Sequence, residues 1–240
     1  MRIRQRSIRS SRWGPSLKLN IPSLGSRDQV VLEVDKDVVG VFGKIGDYSK
    51  EISDAEVEAV KDAVPKRQRE FFTGRYFAKV AQELLGVVPA EIKQSSNRRP
   101  IWPRGMVGSI SHSASLAMVI LSRSEKYSGI GIDMELEGRV TASLLPLVLT
   151  EREIDLLPSL SDFPSPDTLI FSAKESVYKA VNPIVGLMID FKEVEIQFDD
   201  RSFSSFNARY IGPNSDNLIL NHGRGSFESY EDHLVTTFVM

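Results

Sequence analysis

The sequence predicts a fold that mixes α-helices and β-strands, built as one large domain or as two small halves that share a core. The chain has 240 residues, which exceeds one typical domain of ~150 residues. Hydrophobic residues make up 41% and charged residues 26%, a composition that supports a real hydrophobic core. Strand-like runs and helix-like patterns both occur along the body of the chain, from Gln29 onward.

The first 27 residues form a basic segment with seven positive side chains and no acidic one. Since the whole chain has a net charge of −2, residues 28–240 carry −9. The segment lacks the apolar run of a secretory signal, and no run in the chain approaches the ~18 residues of a membrane span. We therefore expect residues 1–27 to be a flexible basic arm, with an arm for nucleic acid or anionic lipid as the alternative.

The predicted N-terminal half, residues 28–124, begins with a hairpin and continues with two helices. Ser53 and Glu56 form a capping box, which predicts a helix that runs to about Val64. The polar stretch 122–128 then separates this half from the predicted C-terminal half, residues 125–240. The other elements predicted in the N-terminal half are the hairpin strands Val30–Val34 and Val38–Phe42, a helix from Lys66 to Leu85, a loop from Ser95 to Gly108 and a buried strand Leu116–Leu121.

The C-terminal half is predicted to begin with a strand, continue with three helices and end in β-like segments. The helices are expected at Leu144–Leu149, Glu151–Leu157 and Leu169–Val181. The β-like segments are Val194–Phe198, Phe203–Ile211, Leu218–Asn221 and Leu234–Met240, with turns at Gly212–Asn214 and Asn221–Gly225.

Several classes of site are excluded by composition and motif. The chain has no cysteine, so disulfide scaffolds, thiolate metal sites and a cysteine nucleophile are excluded. No Gly-x-x-x-x-Gly-Lys-Ser/Thr loop and no Gly-x-Ser-x-Gly elbow occur. Gly129 and Gly131 begin a dinucleotide fingerprint, but Met134 stands where its third glycine is needed.

The strand Gly129–Glu135 carries the most informative pattern. Side chains alternate along a strand, so Asp133 and Glu135 share one face while Ile132 and Met134 point to the core. With Glu175 as a third ligand, these carboxylates predict a site for a hard cation such as Mg²⁺, which prefers carboxylate and phosphate oxygens.

The predicted helix Leu169–Val181 presents a polar stripe beside its buried one, and in this stripe Glu175 and Lys179 are four residues apart. They are either an ordinary helical ion pair or a carboxylate and an ammonium aimed at one phosphate. The loop Arg98–Arg104 surrounds Trp102 with arginines, and the helix Lys66–Lys79 has a basic face. Carboxylates beside many cations are the composition of a phosphoryl-transfer site.

Blocks in consistent order between residues 65 and 181 resemble the 4′-phosphopantetheinyl transferase superfamily. The resemblance is to its Sfp-like class and to the siderophore-synthesis branch that includes enterobactin synthetase component D. The blocks are Glu70–Arg75, Trp102-Pro103-x-Gly105, Gly108–Ser113, Gly131–Glu135 and Phe171–Ala180. The resemblance implies an α+β fold of two similar α/β halves related by a pseudo-twofold axis, with coenzyme A in the cleft between them.

The resemblance also implies an activity and a role for each matched residue. The reaction would move 4′-phosphopantetheine from coenzyme A to a serine of an apo carrier protein (peptidyl, aryl or acyl) and release adenosine 3′,5′-bisphosphate. The implied roles are Asp133, Glu135 and Glu175 as Mg²⁺ ligands, Glu175 also as the base, Lys179 with Lys174 on the phosphates, Ser111 and His112 on the nucleotide phosphates, and Arg75, Arg99 and Arg69 or Arg67 at the 3′-phosphate and adenine end.

Two other functions stay open at this stage. A magnesium-dependent hydrolase would consume nucleotides or coenzyme A without a carrier. A basic-armed nucleic-acid-binding protein would use the arm and the helix Lys66–Lys79, although such proteins are usually basic overall and this body is acidic. We expect a cytoplasmic monomer in siderophore or other secondary-metabolite synthesis, with no specific nucleic-acid partner.

Overall fold

The computed structural model describes residues 21, 23–25, 28–35, 37–186, 188–199, 204–213 and 223–240. The predicted basic arm lies outside these residues except for its last part, and the predicted strand Leu218–Asn221 lies outside them altogether. Helices and strands occur in similar amounts, which confirms the α+β class. No helix in the described ranges is long and apolar enough to cross a membrane.

The strands described by the structure form two larger antiparallel sheets and one small hairpin. One sheet has the order β1-β2-β6-β5, the other has the order β7-β11-β10-β9-β8, and β3 pairs with β4. The strands are β1 Gln29–Asp35, β2 Val38–Lys44, β3 Lys93–Gln94, β4 Pro100–Ile101, β5 Met106–Ser113, β6 Leu116–Arg123, β7 Ile130–Leu136, β8 Val194–Phe198, β9 Ser205–Tyr210, β10 Arg224–Tyr230 and β11 His233–Val239.

One long helix packs against each sheet. Phe77 and Ala81 of α2 are buried against Val119 and Leu121 of β6. The helix α5 packs on β7 and β11. The helices are α1 Asp54–Glu58, α2 Pro65–Leu84, α3 Leu145–Val148, α4 Glu151–Leu156 and α5 Pro166–Val185, with short 3₁₀ helices at Leu157–Leu160 and Phe191–Glu193.

The two sheets meet along β5 and β7 and share a hydrophobic core. Two serine side chains of β5 accept hydrogen bonds from backbone amides of β7. Ser109 Oγ accepts from the Ile132 amide at 3.0 Å, and Ser111 Oγ accepts from the Met134 amide at 3.2 Å. The shared core joins side chains of both sheets, among them Leu32, Phe42, Met118, Ile120, Ile130, Ile132, Met134, Tyr230 and Val235.

The close contact between α5 and β7 depends on a glycine. A Cβ on Gly131 would lie 1.9 Å from the Ser176 carbonyl oxygen, inside any allowed contact distance. The helix backbone therefore rests directly on the strand, and the side chains of the two elements are brought within hydrogen-bond reach.

The structure confirms most predicted elements and corrects three of them. The first helix ends at Glu58 rather than near Val64, although its capping box is present. Within the predicted loop Ser95–Gly108, Pro100–Ile101 forms β4, and the end of the predicted loop, Met106–Gly108, lies inside β5. The turn predicted to reach Gly225 is wrong there, because Arg224–Tyr230 forms a strand paired with β11.

Candidate active site

The strand β7 places Asp133 at the seam between the sheets, as the alternation predicts. Ile132 and Met134 lie fully in the core, while Asp133 faces α5 and is only 3% exposed. Its Oδ1 atom lies 2.6 Å from Lys179 Nζ and accepts a hydrogen bond from Ser111 Oγ at 3.0 Å. Lys179 Nζ also donates to Ser111 Oγ at 3.2 Å, so an aspartate, a lysine and a serine from three elements converge.

Glu135 and Glu175 add negative charge to this group. Burial, and then the charge of Asp133, raise the pKa of Glu135 to about 7, although Arg139 lies 3.7 Å away. Burial also raises the pKa of Glu175, against the opposing charge of Lys179. Asp133 Oδ2 is buried without a hydrogen-bond partner. A cation would relieve this repulsion and satisfy the orphan oxygen.

These observations fit the donor set that Mg²⁺ prefers, carboxylate oxygens with room for water and phosphate. Among the described residues, however, no three His, Asp or Glu side chains already stand in a ligand arrangement. The Lys179 ammonium contacts the Asp133 carboxylate instead.

Next to this group, His112 lies against the basic face of α2. Arg67 Nη1 is 3.1 Å from His112 Nε2, and Glu70 Oε2 lies 3.4 Å from the guanidinium and 3.7 Å from the imidazole. Burial lowers the pKa of His112, with the charges of Arg67 and Lys179 acting in the same direction and Glu70 opposing them. The imidazole is therefore neutral near pH 7 and can accept from Arg67.

A cavity of about 300 Å³, lined by the loop before β5, by β5 itself and by α5, opens beside Lys179. Arg99 enters it from the loop and donates from Nη1 to the Asn182 carbonyl at 3.0 Å and to its side-chain oxygen. The absence of a side chain at Gly108 and Gly129 lets neighbouring groups pack directly against the backbone that lines the cleft. A Cβ on Gly108 would lie 2.8 Å from the Trp102 ring, and a Cβ on Gly129 would lie 2.3 Å from the Ala180 carbonyl oxygen. A cationic cleft with an aromatic wall suits an anionic, aromatic ligand.

A second cavity, of about 170 Å³, lies on the other side of Glu175. It is mostly apolar and is lined by Tyr178, Met188, Ile189 and Phe191. The sequence patterns gave no signal for this cavity, since its walls come from α5 and from the irregular segment that follows it.

The structure brings Ser111, His112, Asp133 and Lys179 together but leaves other predicted residues elsewhere. The exposed Arg69 lies on α2, and Arg75 is buried with its guanidinium 4.3 Å from the centre of the Phe71 ring. Burial lowers the pKa of Arg75 to about 10.

Lys174 is likewise turned away from the site and is buried against Glu153, at 2.6 Å. Burial lowers its pKa, opposed by Glu153. The placement of Lys174 therefore does not support the phosphate contact that the resemblance implied.

Sequence reasoning missed two residues of the site. Glu70 contacts Arg67 and His112, and Asn182 holds Arg99. The spacing of Asn182 could have revealed it, because it follows Lys179 by three residues and Glu175 by seven and so lies on the same helix face.

The fold and this convergence of acids and bases define an enzyme-like site for a phosphate-bearing ligand, and comparison with known proteins identifies the family. Residues 55–122 match the model of the 4′-phosphopantetheinyl transferase N-terminal domain, and residues 129–237 match the model of the 4′-phosphopantetheinyl transferase superfamily. The chain belongs to this superfamily, which confirms the resemblance seen in its sequence motifs.

Its relatives include proteins named as 4′-phosphopantetheinyl transferases and as enterobactin synthase component D. The chain is 36% identical over 161 residues to 4′-phosphopantetheinyl transferase Svp of Streptomyces mobaraensis, covering 66% of this chain and 65% of Svp. It is 32% identical over 158 residues to 4′-phosphopantetheinyl transferase Npt of Nocardia iowensis, covering 65% and 71%. It is 36% identical over 159 residues to enterobactin synthase component D of Salmonella typhi, covering 64% and 62%. The matched segment thus spans about two thirds of the relatives' length.

Proposed function

We propose that the protein transfers the 4′-phosphopantetheine group of coenzyme A to a serine of an apo carrier protein and releases adenosine 3′,5′-bisphosphate. The observation that carries the proposal is the convergence of Asp133, Lys179 and Ser111 beside the cationic cleft. This arrangement places carboxylates, which can hold a metal ion and take a proton, next to cationic side chains, which can hold phosphates.

The cleft is proposed to lie between two similar halves, 28–124 and 125–240, related by a pseudo-twofold axis. Two features support this. One sheet is built from strands before residue 124 and the other from strands after residue 129. Each sheet carries one 20-residue helix, α2 and α5.

Asp133, Glu135 and Glu175 would hold Mg²⁺, which supplies a positive charge that polarises phosphate oxygens. The unpartnered Asp133 Oδ2 and the raised pKa of Glu135 support this assignment. Because the Lys179 ammonium lies beside Asp133, it would contact the same phosphate as a metal ion held by Asp133. The chain itself would then supply part of the positive charge that balances the phosphate.

The chain's residues then divide the chemistry. The carrier serine oxygen forms a bond to the phosphorus next to the pantetheine arm, and the bond from that phosphorus to the bisphosphate oxygen breaks. Glu175, whose pKa burial raises, takes the serine proton directly or through a water molecule. Lys179 stabilises the negative charge that grows on the departing bisphosphate.

His112 is proposed to contact the phosphates of coenzyme A, with Arg67 and Arg99 at the 3′-phosphate and adenine end. The 3.1 Å contact between Arg67 and His112 and the position of Arg99 in the cleft support this. Arg69 is exposed on α2 as Arg67 is, and is the alternative to Arg67 at that end, whereas Arg75 is buried against Phe71 and is turned away from the cleft. The buried Ser111 hydroxyl is proposed to orient Asp133 and Lys179 instead, because its one proton is donated to Asp133 and it accepts from Lys179 and from the Met134 amide.

The partner is proposed to be a carrier protein or carrier domain of a peptide, polyketide or fatty-acid synthase. The similarity to enterobactin synthase component D supports a role in siderophore or other secondary-metabolite synthesis. We further propose a cytoplasmic monomer without a specific nucleic-acid partner. Family membership favours transfer over the hydrolase and nucleic-acid alternatives.

Mass spectrometry of apo carriers tests the proposal. With coenzyme A and Mg²⁺, one peptidyl, aryl or acyl carrier should gain one phosphopantetheine, and a carrier whose serine is replaced by alanine should gain none. A chelator should stop the reaction, and coenzyme A should survive without carrier. Consumption of coenzyme A without carrier would support the hydrolase, and a panel of unmodified carriers would refute transfer.

A further inference from the structure

The ammonium of Lys174 has every donor engaged within the protein. It donates to the Val148 carbonyl at 2.9 Å, to the Phe191 carbonyl at 2.8 Å and to Glu153 Oε2 at 2.6 Å. A lysine ammonium has three donors, so none remains for a ligand. The side chain is also only 1% exposed, although it forms part of the wall of the 170 Å³ cavity.

Its partner Glu153 is equally enclosed. Glu153 Oε2 accepts from the Thr150 amide at 2.8 Å as the cap of α4, and Oε1 accepts from the Ile196 amide of β8 at 2.8 Å. Its side chain is 1% exposed. Lys174 and Glu153 therefore tie α5 to α4 and to the edge strand of the second sheet.

Of the two carbonyls held by Lys174, that of Phe191 belongs to a segment that lines the same cavity as Glu175. Val148 ends α3, and Phe191 begins the short helix that forms one wall of the 170 Å³ cavity beside Glu175. Removing the ammonium would free both carbonyls and leave Glu153 as a buried, unpaired charge. The cavity wall that begins at Phe191 would then be free to move relative to Glu175, the residue after Lys174 on α5.

We propose that Lys174 is a positioning residue: it does not bind phosphate but fastens the segments ending at Val148 and beginning at Phe191 to α5, and so sets the placement of Glu175. The inference rests on the proposed function, in which Glu175 takes the proton of the carrier serine. A small displacement of such a base can cost ~10²-fold in rate.

The decisive variant is Lys174→Met combined with Glu153→Gln, because it removes both buried charges and avoids an unpaired carboxylate. Lys174→Arg is the conservative variant, which keeps the charge but replaces the compact ammonium by a planar fork. Arg152→Met is the matched control: it breaks an ion pair between α4 and β8, at 3.3 Å to Glu195, without touching Lys174.

The readouts are the thermal midpoint, the Kd for adenosine 3′,5′-bisphosphate, and kcat and KM for coenzyme A with a carrier. We expect both Lys174 variants to keep the bisphosphate Kd within about twofold and to lose kcat by ~10²-fold, whereas Arg152→Met keeps both. Lys174→Arg, which retains the charge, decides the matter if the double variant does not fold.

Three outcomes would overturn the inference. A bisphosphate Kd weakened tenfold or more in both Lys174 variants would make Lys174 a phosphate ligand. A folded double variant with wild-type kcat would make the pair merely structural. If the wild-type protein modifies no carrier, the proposed function fails and the inference fails with it. If the wild-type protein modifies a carrier and the double variant has the same kcat, the inference fails but the proposed function stands.

Discussion

The pair formed by Asp133 and Lys179 predicts an asymmetric response to mutation. Lys179→Met removes the ammonium 2.6 Å from Asp133 Oδ1 and leaves a carboxylate that is 4% exposed. That carboxylate would face the like charges of Glu135 and Glu175, and burial together with the charges of Asp133 and Glu175 already raises the pKa of Glu135. The variant should therefore be destabilised even without metal or substrate.

The magnitude follows from burial. Removing one partner of a fully buried ion pair costs ~3–5 kcal/mol. The Lys179 side chain is 26% exposed, so water partly screens the pair, and we expect a loss of about 2 kcal/mol. For a chain of this size that corresponds to a drop of roughly 4–8 °C in thermal midpoint. The double variant Asp133→Asn with Lys179→Met removes both charges and should recover at least half of the loss.

Urea unfolding of the four members of this cycle, with a chelator present, measures the coupling. Lys126→Met is the control, because its pair with Asp37 is exposed and 3.6 Å long, and it should change stability by less than about 0.5 kcal/mol. A double variant no more stable than Lys179→Met, with coupling below about 0.5 kcal/mol, would show that the two charges act independently and would refute the reasoning.

Three further predictions concern neighbouring contacts. Gly131→Ala should lower the free energy of unfolding by ~1–3 kcal/mol, because its Cβ would collide with the Ser176 carbonyl at 1.9 Å; wild-type stability in denaturant would contradict the packing. Ser109→Ala should cost ~1–3 kcal/mol, since the buried Ile132 amide loses its acceptor, and faster hydrogen exchange of that amide is the check. Glu175→Gln should lower kcat ~10²–10⁴-fold with the melting temperature unchanged or raised, and a wild-type rate would remove Glu175 from the chemistry.

Elements with a strong local signal were predictable from the sequence, and those whose residues serve long-range packing were not. The capping box at Ser53 was correct, but α1 stops at Glu58, after which the amides of Val60, Lys61 and Ala63 bond to the carbonyl three residues back instead of four. Gly225 suggested a turn, yet it lies in β10, where a Cβ would meet the Phe206 ring at 2.0 Å. The glycine is there to admit a neighbouring ring, a reason that only the packed sheet reveals.

The same distinction applies to the site. Asp133 and Glu135 share a strand face, and Glu175 and Lys179 share a helix face, as the spacing predicts, but the ammonium of Lys179 contacts Asp133 across the two elements. The contacts of Arg99 and Lys174 depend on how distant segments pack, and no local pattern encodes them. The sequence motif placed Lys174 beside Glu175 in the chain, but the helix turns the two side chains to different surroundings.

The site lies at the seam because one strand serves both the core and the chemistry. Met134 of β7 anchors the strand in the shared core, and its amide is satisfied by Ser111 of the other sheet. The same serine hydroxyl donates to Asp133 and accepts from Lys179. Any shift between the sheets would therefore break a backbone contact and the charge cluster at the same time. Since the cleft is lined by β5 of one sheet and by β7 of the other, the contacts that join the sheets also set the geometry of the proposed active site.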